Sequence, residues 1–208
     1  MSALAMSEKR SSLGGLHVLL GVTGGIAAHK AVDLASNLTA AGAKVNTVMT
    51  ESACRLVCPK SFEAVTASAV FTSLWEDRPV YSVWDEGAES GRPRHVDLAD
   101  GADIVVVAPA TANIIGKVAN GICDDLLSTV LCVASAKPVL LAPAMNNNMW
   151  ANAAVQRNVQ TVKEMGFELV GPVRGRLACG TEGWGRMSEP EDIMEAIGGI
   201  ASRIKGKE

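Results

Sequence analysis

The apolar positions of this chain switch repeatedly between a strand-like and a helix-like pattern. Leu16 to Val22 is an apolar run broken only by His17 and Gly21, and it predicts a buried first strand. After a glycine turn, Ala27, Ala31, Leu34, Ala35 and Leu38 fall on one helical face, which Gly42 closes. Lys44 to Met49 reads as the second strand. Asp103 to Ala108 and Pro138 to Ala142 are short continuous apolar runs, the pattern of strands covered on both faces. Asp124 to Ala134 between them has helical spacing. Val155, Val159 and Val162 mark another helix ended by Gly166; Phe167 to Val170 is a late strand, and a final helix runs from Pro190 to about Arg203. Residues from about 51 to 100 hold no sustained period. Pro59, Pro79 and a polar stretch from Glu86 to Arg94 predict short helices and loops there.

This alternation predicts an α/β fold: a three-layer, doubly wound, mostly parallel sheet of the Rossmann or flavodoxin-like kind. Ligands of such sheets sit beyond the carboxyl ends of the strands. The unusual residues gather at those ends: Thr23-Gly24-Gly25, Thr50, Pro109 to Asn113, and Pro143 to Trp150. A length of 208 residues suits one domain, expected over 15–208, with polar residues 1–14 as a flexible N-terminal arm.

Charge and cysteine usage narrow the classes. A net charge of -3 with both signs interspersed points to neither nucleic acid nor a membrane surface. No apolar run reaches the roughly 18–20 residues of a membrane span. The five cysteines (54, 58, 123, 132, 179) are odd in number and no signal peptide is evident, which argues for a reducing cytoplasm rather than a disulfide framework. Cys54 and Cys58 have no second Cys/His pair, so no metal is expected.

Candidate chemistry follows from the strand ends. Gly21 to Ile26 leads from a strand into a helix, where bare amides favour a phosphate and the Thr23 and Thr50 hydroxyls can add donors; the plainer reading is a tight turn. The spacing is neither G-x-G-x-x-G nor the P-loop pattern. In Pro109-Ala110-Thr111-Ala112-Asn113 the small residues let a flat ring approach the backbone, or Thr111 simply caps a helix. Among Asn146, Asn147 and Asn148, the residues cap the next helix or one of them is a directional ligand for a carboxylate. His95 is either structural or a proton carrier. His17 and His29 read as structural. Cys54, Cys123 and Cys132 read as small core residues in helical contexts, whereas Cys179, among the glycines of Leu177 to Met187, is expected in a mobile loop.

Together these segments resemble the flavin-containing cysteine decarboxylases, and within them the phosphopantothenoylcysteine branch. The likeness covers residues 16 to about 193. It rests on the Gly21 to Lys30 turn, His95-Val96-Asp97-Leu98, Ala108 to Asn113, the specific Pro-Ala-Met-Asn-x-x-Met-Trp stretch at 143–150, and Ala178-Cys179-Gly180. Gly101 departs from the pattern, because many members carry Trp before the Ala-Asp pair.

The resemblance implies FMN as cofactor, with its phosphate held by Gly24, Gly25 and Thr50 and its ring lined by Thr111, Ala112 and Asn113, and Thr23, Pro109 and Ala144 beside them. It implies His95 as base, Asn146 as ligand of the substrate carboxylate and Cys179 as acid. The implied activity is decarboxylation of 4'-phosphopantothenoylcysteine to 4'-phosphopantetheine in coenzyme A biosynthesis, by a cytoplasmic homotrimer or homododecamer. Another protein would then carry out the preceding ligation. Peptidyl cysteine decarboxylation is the alternative; Cys179 speaks against it. A phosphatase-regulating flavoprotein is the other, and the Arg203 to Glu208 ending lacks the long acidic tail such relatives carry.

Overall fold

Six strands form one parallel sheet in the order β3-β2-β1-β4-β5-β6. The computed structural model describes residues 13–75, 84, 92–176, 180 and 182–206. Its strands are β1 (His17–Val22), β2 (Lys44–Met49), β3 (Val70–Phe71), β4 (Ile104–Ala110), β5 (Val139–Pro143) and β6 (Glu168–Leu169). β1 pairs with β2 on one side and β4 on the other, so the strand order reverses beside β1.

The strands are apolar on both faces because helices cover both. Val18, Leu20 and Val22 of β1 face α1 (Ala28–Ala40) and α9 (Pro190–Lys205), through Leu34, Leu38, Ile193 and Ile197. Leu19 of β1 and Val105 and Val107 of β4 point the other way, toward α4 (Arg94–Asp100) and α6 (Leu126–Val133), through Leu98, Leu127 and Val130. This is the expected three-layer, doubly wound arrangement, with α2 (Glu51–Cys54), α3 (Pro59–Thr66), α5 (Ala112–Ala119), α7 (Asn147–Trp150) and α8 (Ala153–Glu164) completing the connections. Gly42 and Gly166, at φ 90° and 91°, end α1 and α8 in the left-handed conformation that glycine adopts without strain.

The structure corrects three expectations. β4 does not stop at Ala108 but continues through Pro109 to Ala110, with a register shift against β5 where Pro109 offers no N–H. The glycines around 183–185 belong not to a loop but to β8 (Glu182–Arg186), which pairs antiparallel with β7 (Val173–Arg176). Cys123 and Cys132 are exposed and are not core residues, whereas Cys54, half-buried, packs against the core. On α6 the core is formed by Leu127, Val130 and Leu131, a face that excludes position 132. The expected arm lies outside the described residues except at Leu13 and Gly14, and Leu13 is buried.

Among the described residues no helix is long and apolar enough to cross a membrane. Thr47 on β2 is 1% exposed, and its hydroxyl has no hydrogen-bond partner. Thr47→Val keeps the shape and removes this unmet polar group, so stability is expected to rise by about 1 kcal/mol. An upward shift of the urea midpoint at constant slope would show it.

Candidate active site

The reversal of strand order opens a crevice at the carboxyl ends of β1 and β4, and two loops meet there. Thr23 joins them. Its buried hydroxyl donates to the Pro109 carbonyl at 2.6 Å and lies 3.1 Å from the Thr111 hydroxyl, and it accepts the Thr111 N–H at 3.2 Å. Thr23 therefore clasps the β4 loop to the β1 loop and faces protein, which makes it a support of the site. Thr111 occupies the capping position of α5, but its side chain makes no capping bond; it answers Thr23 instead.

Gly24 and Gly25 lead into α1, whose N-cap residue Ala27 supplies no side-chain bond. The Gly25 N–H is taken by the Thr23 carbonyl at 2.9 Å, and the other N–H groups of the turn with the positive end of a 13-residue helix suit an anion. Gly24 is held to its size. A Cβ there would stand 2.3 Å from the Cβ of Ser52, in the first turn of α2. Two helix starts are thus brought together. Thr50 caps the second, accepting the Ala53 N–H at 3.3 Å, and its hydroxyl hydrogen can still be donated. Gly25, by contrast, has ordinary room: a Cβ would lie 3.4 Å from the Thr111 methyl and 3.5 Å from the Pro109 ring. The small wall of Gly25, Pro109, Thr111 and Ala112 leaves space for a flat group, with Asn113 exposed at its rim. Ala144 adjoins it, its N–H bonded to the Ala110 carbonyl at 3.0 Å.

Beyond Ala144 the chain is gripped by the β7–β8 hairpin. Met145 N–H donates to the Gly185 carbonyl at 2.9 Å, and Asn147 Oδ1 accepts the Trp184 N–H at 3.1 Å. Such closeness requires glycine. A Cβ on Gly185, at φ 130°, would fall 2.2 Å from the Met145 oxygen, and one on Gly183 would fall 2.7 Å from Asn147 Oδ1. Asn146 lies between these two contacts and caps α7, its Oδ1 accepting the Asn148 N–H at 2.8 Å. The capping role and a carboxylate role use different ends of one amide, since the Asn146 oxygen accepts and its NH2 donates.

His95 reaches the same edge from the opposite side. The end of α4 meets the start of β1, where the His17 N–H donates to Asp103 at 2.7 Å and the His17 ring nitrogen lies 3.1 Å from the Gly101 carbonyl. The helix then extends back toward the carboxyl edge. There the Arg94 guanidinium lies 5.1 Å over the Phe71 ring, and Phe71 pairs with Val48, next to the last residue of β2. His95, half-buried, is in this first turn. Cys179 lies outside the described residues, between the two strands of the hairpin. Arg174 and Arg176 are exposed on β7.

Charged groups brace the surround. Lys30 of α1 pairs with Glu189 at 2.7 Å, and Arg186 of β8 reaches the same carboxylate. The Lys30 hydrogen bond outweighs partial burial and, with Arg186, holds the Glu189 carboxyl below its ordinary range. Lys117 of α5 bonds both Asp124 and Asp125 at 2.6 Å, tying that helix to the cap of α6.

The sequence matches the Flavoprotein family over residues 6–202. The chain belongs to that family. It is 46% identical over 179 residues to the coenzyme A biosynthesis bifunctional protein CoaBC of Bacillus subtilis (strain 168), a match that covers 86% of this chain and 41% of that relative. The chain therefore spans about two fifths of that protein's length. Among solved structures, a mutant of a PPC decarboxylase complexed with pantothenoylaminoethenethiol is 33% identical with a TM-score of 0.74, covering 88% of this chain and 96% of that one. The FMN-dependent cysteine decarboxylase SpaF is 32% identical with a TM-score of 0.75, covering 93% and 99%.

Within this flavoprotein, Gly24, Gly25, Thr50, Pro109, Thr111, Ala112 and Ala144 gather at the carboxyl ends of β1, β2, β4 and β5, with Asn113 exposed beside them and Thr23 buried behind them as a support. Asn146 and His95 stand at the same edge of the sheet. Three contributors escaped the sequence reading. Ser52 follows Thr50 in a helix too short to show a period. Asn147 is the one of the three asparagines that takes the hairpin. Trp84 has no local signal, and its indole fills the space above Gly101.

Proposed function

We propose that this chain is an FMN-dependent carboxy-lyase that converts 4'-phosphopantothenoylcysteine to 4'-phosphopantetheine in coenzyme A biosynthesis. The docking of Met145 and Asn147 against β8 carries the reading, because it holds Asn146, whose amide would bind the substrate carboxylate, beside the strand that follows Cys179 in the sequence. The identity to CoaBC and the likeness to a PPC decarboxylase support it.

The lining fits FMN. The Gly24-Gly25 turn and the start of α1, with the Thr50 hydroxyl, would hold its single phosphate, and Thr111, Ala112, Asn113, Pro109 and Ala144 would flank its ring. When bound, FMN supplies a reversible two-electron oxidation of the substrate's thiol-bearing carbon, which places an electron sink β to the carboxylate. The residues do the rest. His95 carries the proton released in that oxidation. The Asn146 amide orients the carboxylate without the ground-state hold of a charged pair, so CO2 can leave. Cys179 would donate a proton to the carbon of the resulting enethiolate, and return of the two electrons taken up in the first oxidation would complete the saturated thiol. Arg174 and Arg176 are candidates for the substrate phosphate. Denaturing the yellow protein should release FMN; recovery of FAD or NAD would defeat the assignment.

The near-equal likeness to SpaF, an FMN-dependent cysteine decarboxylase, supports decarboxylation of a cysteine, and a second reading takes that cysteine from a peptide. Side-by-side assays separate the two. The phosphorylated pantothenoylcysteine should be turned over and a peptide ending in cysteine should not. In the same assay His95→Asn is expected to be inactive and to block flavin reduction by substrate in the absence of oxygen. Rapid anaerobic bleaching in that variant would remove His95 from the proton step.

A homotrimer, or a homododecamer built from it, also belongs to this proposal. Ile26 supports it: this side chain, next to Gly25, is 65% exposed, as suits a surface that another copy covers. Sedimentation velocity should give a trimer or dodecamer mass. A cytoplasmic location fits the unpaired state of Cys54, Cys58, Cys123 and Cys132.

A further inference from the structure

Trp84 belongs to no helix or strand, yet it is only 4% exposed. Its indole stacks on the His17 imidazole at 4.9 Å with 8° between the planes. Its Nε1–H donates to the Asp97 carbonyl of α4 at 3.2 Å, and Lys44 donates to its backbone carbonyl. The same ring covers the residue that ends α4. A Cβ on Gly101 would sit 2.0 Å from Cδ1 and 2.5 Å from Nε1 of Trp84. Gly101 has φ -79°, open to any residue, so the indole and not the backbone reserves this position for glycine.

We propose that Trp84 is the positioning residue for His95: wedged over Gly101, its indole sets the depth and tilt of α4 and so where the imidazole stands at the carboxyl edge of the sheet. The inference rests on the decarboxylase reading, with His95 as proton carrier. α4 has seven residues, no side-chain cap at Pro93, and only Leu98 and Ala99 fully buried. A helix this short has almost no stability of its own, so tertiary contacts decide where it lies. Arg94 on Phe71 steadies one end. Trp84 grips the other at Asp97 and Gly101, and Asp97 is two residues from His95. A shift of about 1 Å in a catalytic group can cost on the order of a hundredfold in rate.

The test uses the FMN-loaded protein and a swap of the indole between two positions. Trp84→Ala should keep its FMN and its KM, lose about ten- to hundredfold in kcat, and show faster amide hydrogen exchange over Val96 to Gly101 with or without FMN. Gly101→Trp alone forces two indoles into one slot and should be equally impaired. Trp84→Ala combined with Gly101→Trp refills the slot from the other side and should recover most of the kcat together with slow exchange. Trp84→Ala with a lower Tm but wild-type kcat would make Trp84 merely stabilising and overturn the proposal. So would a swap that restores Tm without kcat. If Trp84→Ala does not fold, Trp84→Phe keeps a ring but loses the bond to Asp97, and wild-type kcat and exchange in that variant overturn it. Wild-type protein that releases no CO2 overturns the decarboxylase reading itself; active wild type with an equally active Trp84→Ala overturns only the positioning role.

Discussion

Asn146→Asp is expected to abolish CO2 release while FMN stays bound. The substitution isolates one property of the residue. An aspartate oxygen accepts the Asn148 N–H as well as the amide oxygen does, so α7 keeps its cap and the contacts of Met145 and Asn147 with β8 stay in place. What changes is the end that would meet substrate in the proposed mechanism: an NH2 donor becomes a negative oxygen facing a carboxylate. At about 4 Å near a protein surface two like charges repel by about 4 kcal/mol. That is roughly a thousandfold in rate. Unchanged turnover with a retained Tm would show that Asn146 is only a cap.

Cys179→Ser is expected to divide the reaction. In the proposed mechanism oxidation and loss of CO2 rest on His95, Asn146 and the flavin, and the substitution changes none of these. Protonation of the enethiolate carbon needs an acid, and a serine hydroxyl is far weaker than a thiol. The variant should therefore release CO2 yet yield a product two hydrogens lighter than 4'-phosphopantetheine. Alanine substitutions of Cys54, Cys123 and Cys132 should leave product mass unchanged. Normal product at the wild-type rate from Cys179→Ser would remove both the acid and the main ground for preferring this reaction over the peptidyl one.

The long elements were legible because burial on two faces leaves a strong signal. β1, β2 and α1 fall where the apolar runs and Gly42 place them, and the order of the strands then puts the glycine turn, Thr50 and the Pro109 to Asn113 segment at one edge. Elements of two residues, such as β3, hold too few positions to show a period. The hairpin was missed for another reason. In β8 the inward positions are Gly183 and Gly185, so the alternation is of size and not of hydrophobicity. For Thr23, the turn was legible but not the partner, which comes from 86 residues away. Trp84 and Gly101 likewise make sense only as a pair brought together by the fold. The outward placement of Cys132 was available in principle, since Leu127, Val130, Leu131 and Ala134 already trace the buried face of that segment.

The proposed decarboxylation begins and ends with the flavin in the same redox state. Purified protein mixed with 4'-phosphopantothenoylcysteine, without oxygen or any added reductant, tests it most directly by CO2 measurement and product mass. The account predicts one CO2 for each 4'-phosphopantetheine formed, over many turnovers. No CO2, or CO2 only when an outside oxidant or reductant is supplied, would contradict it.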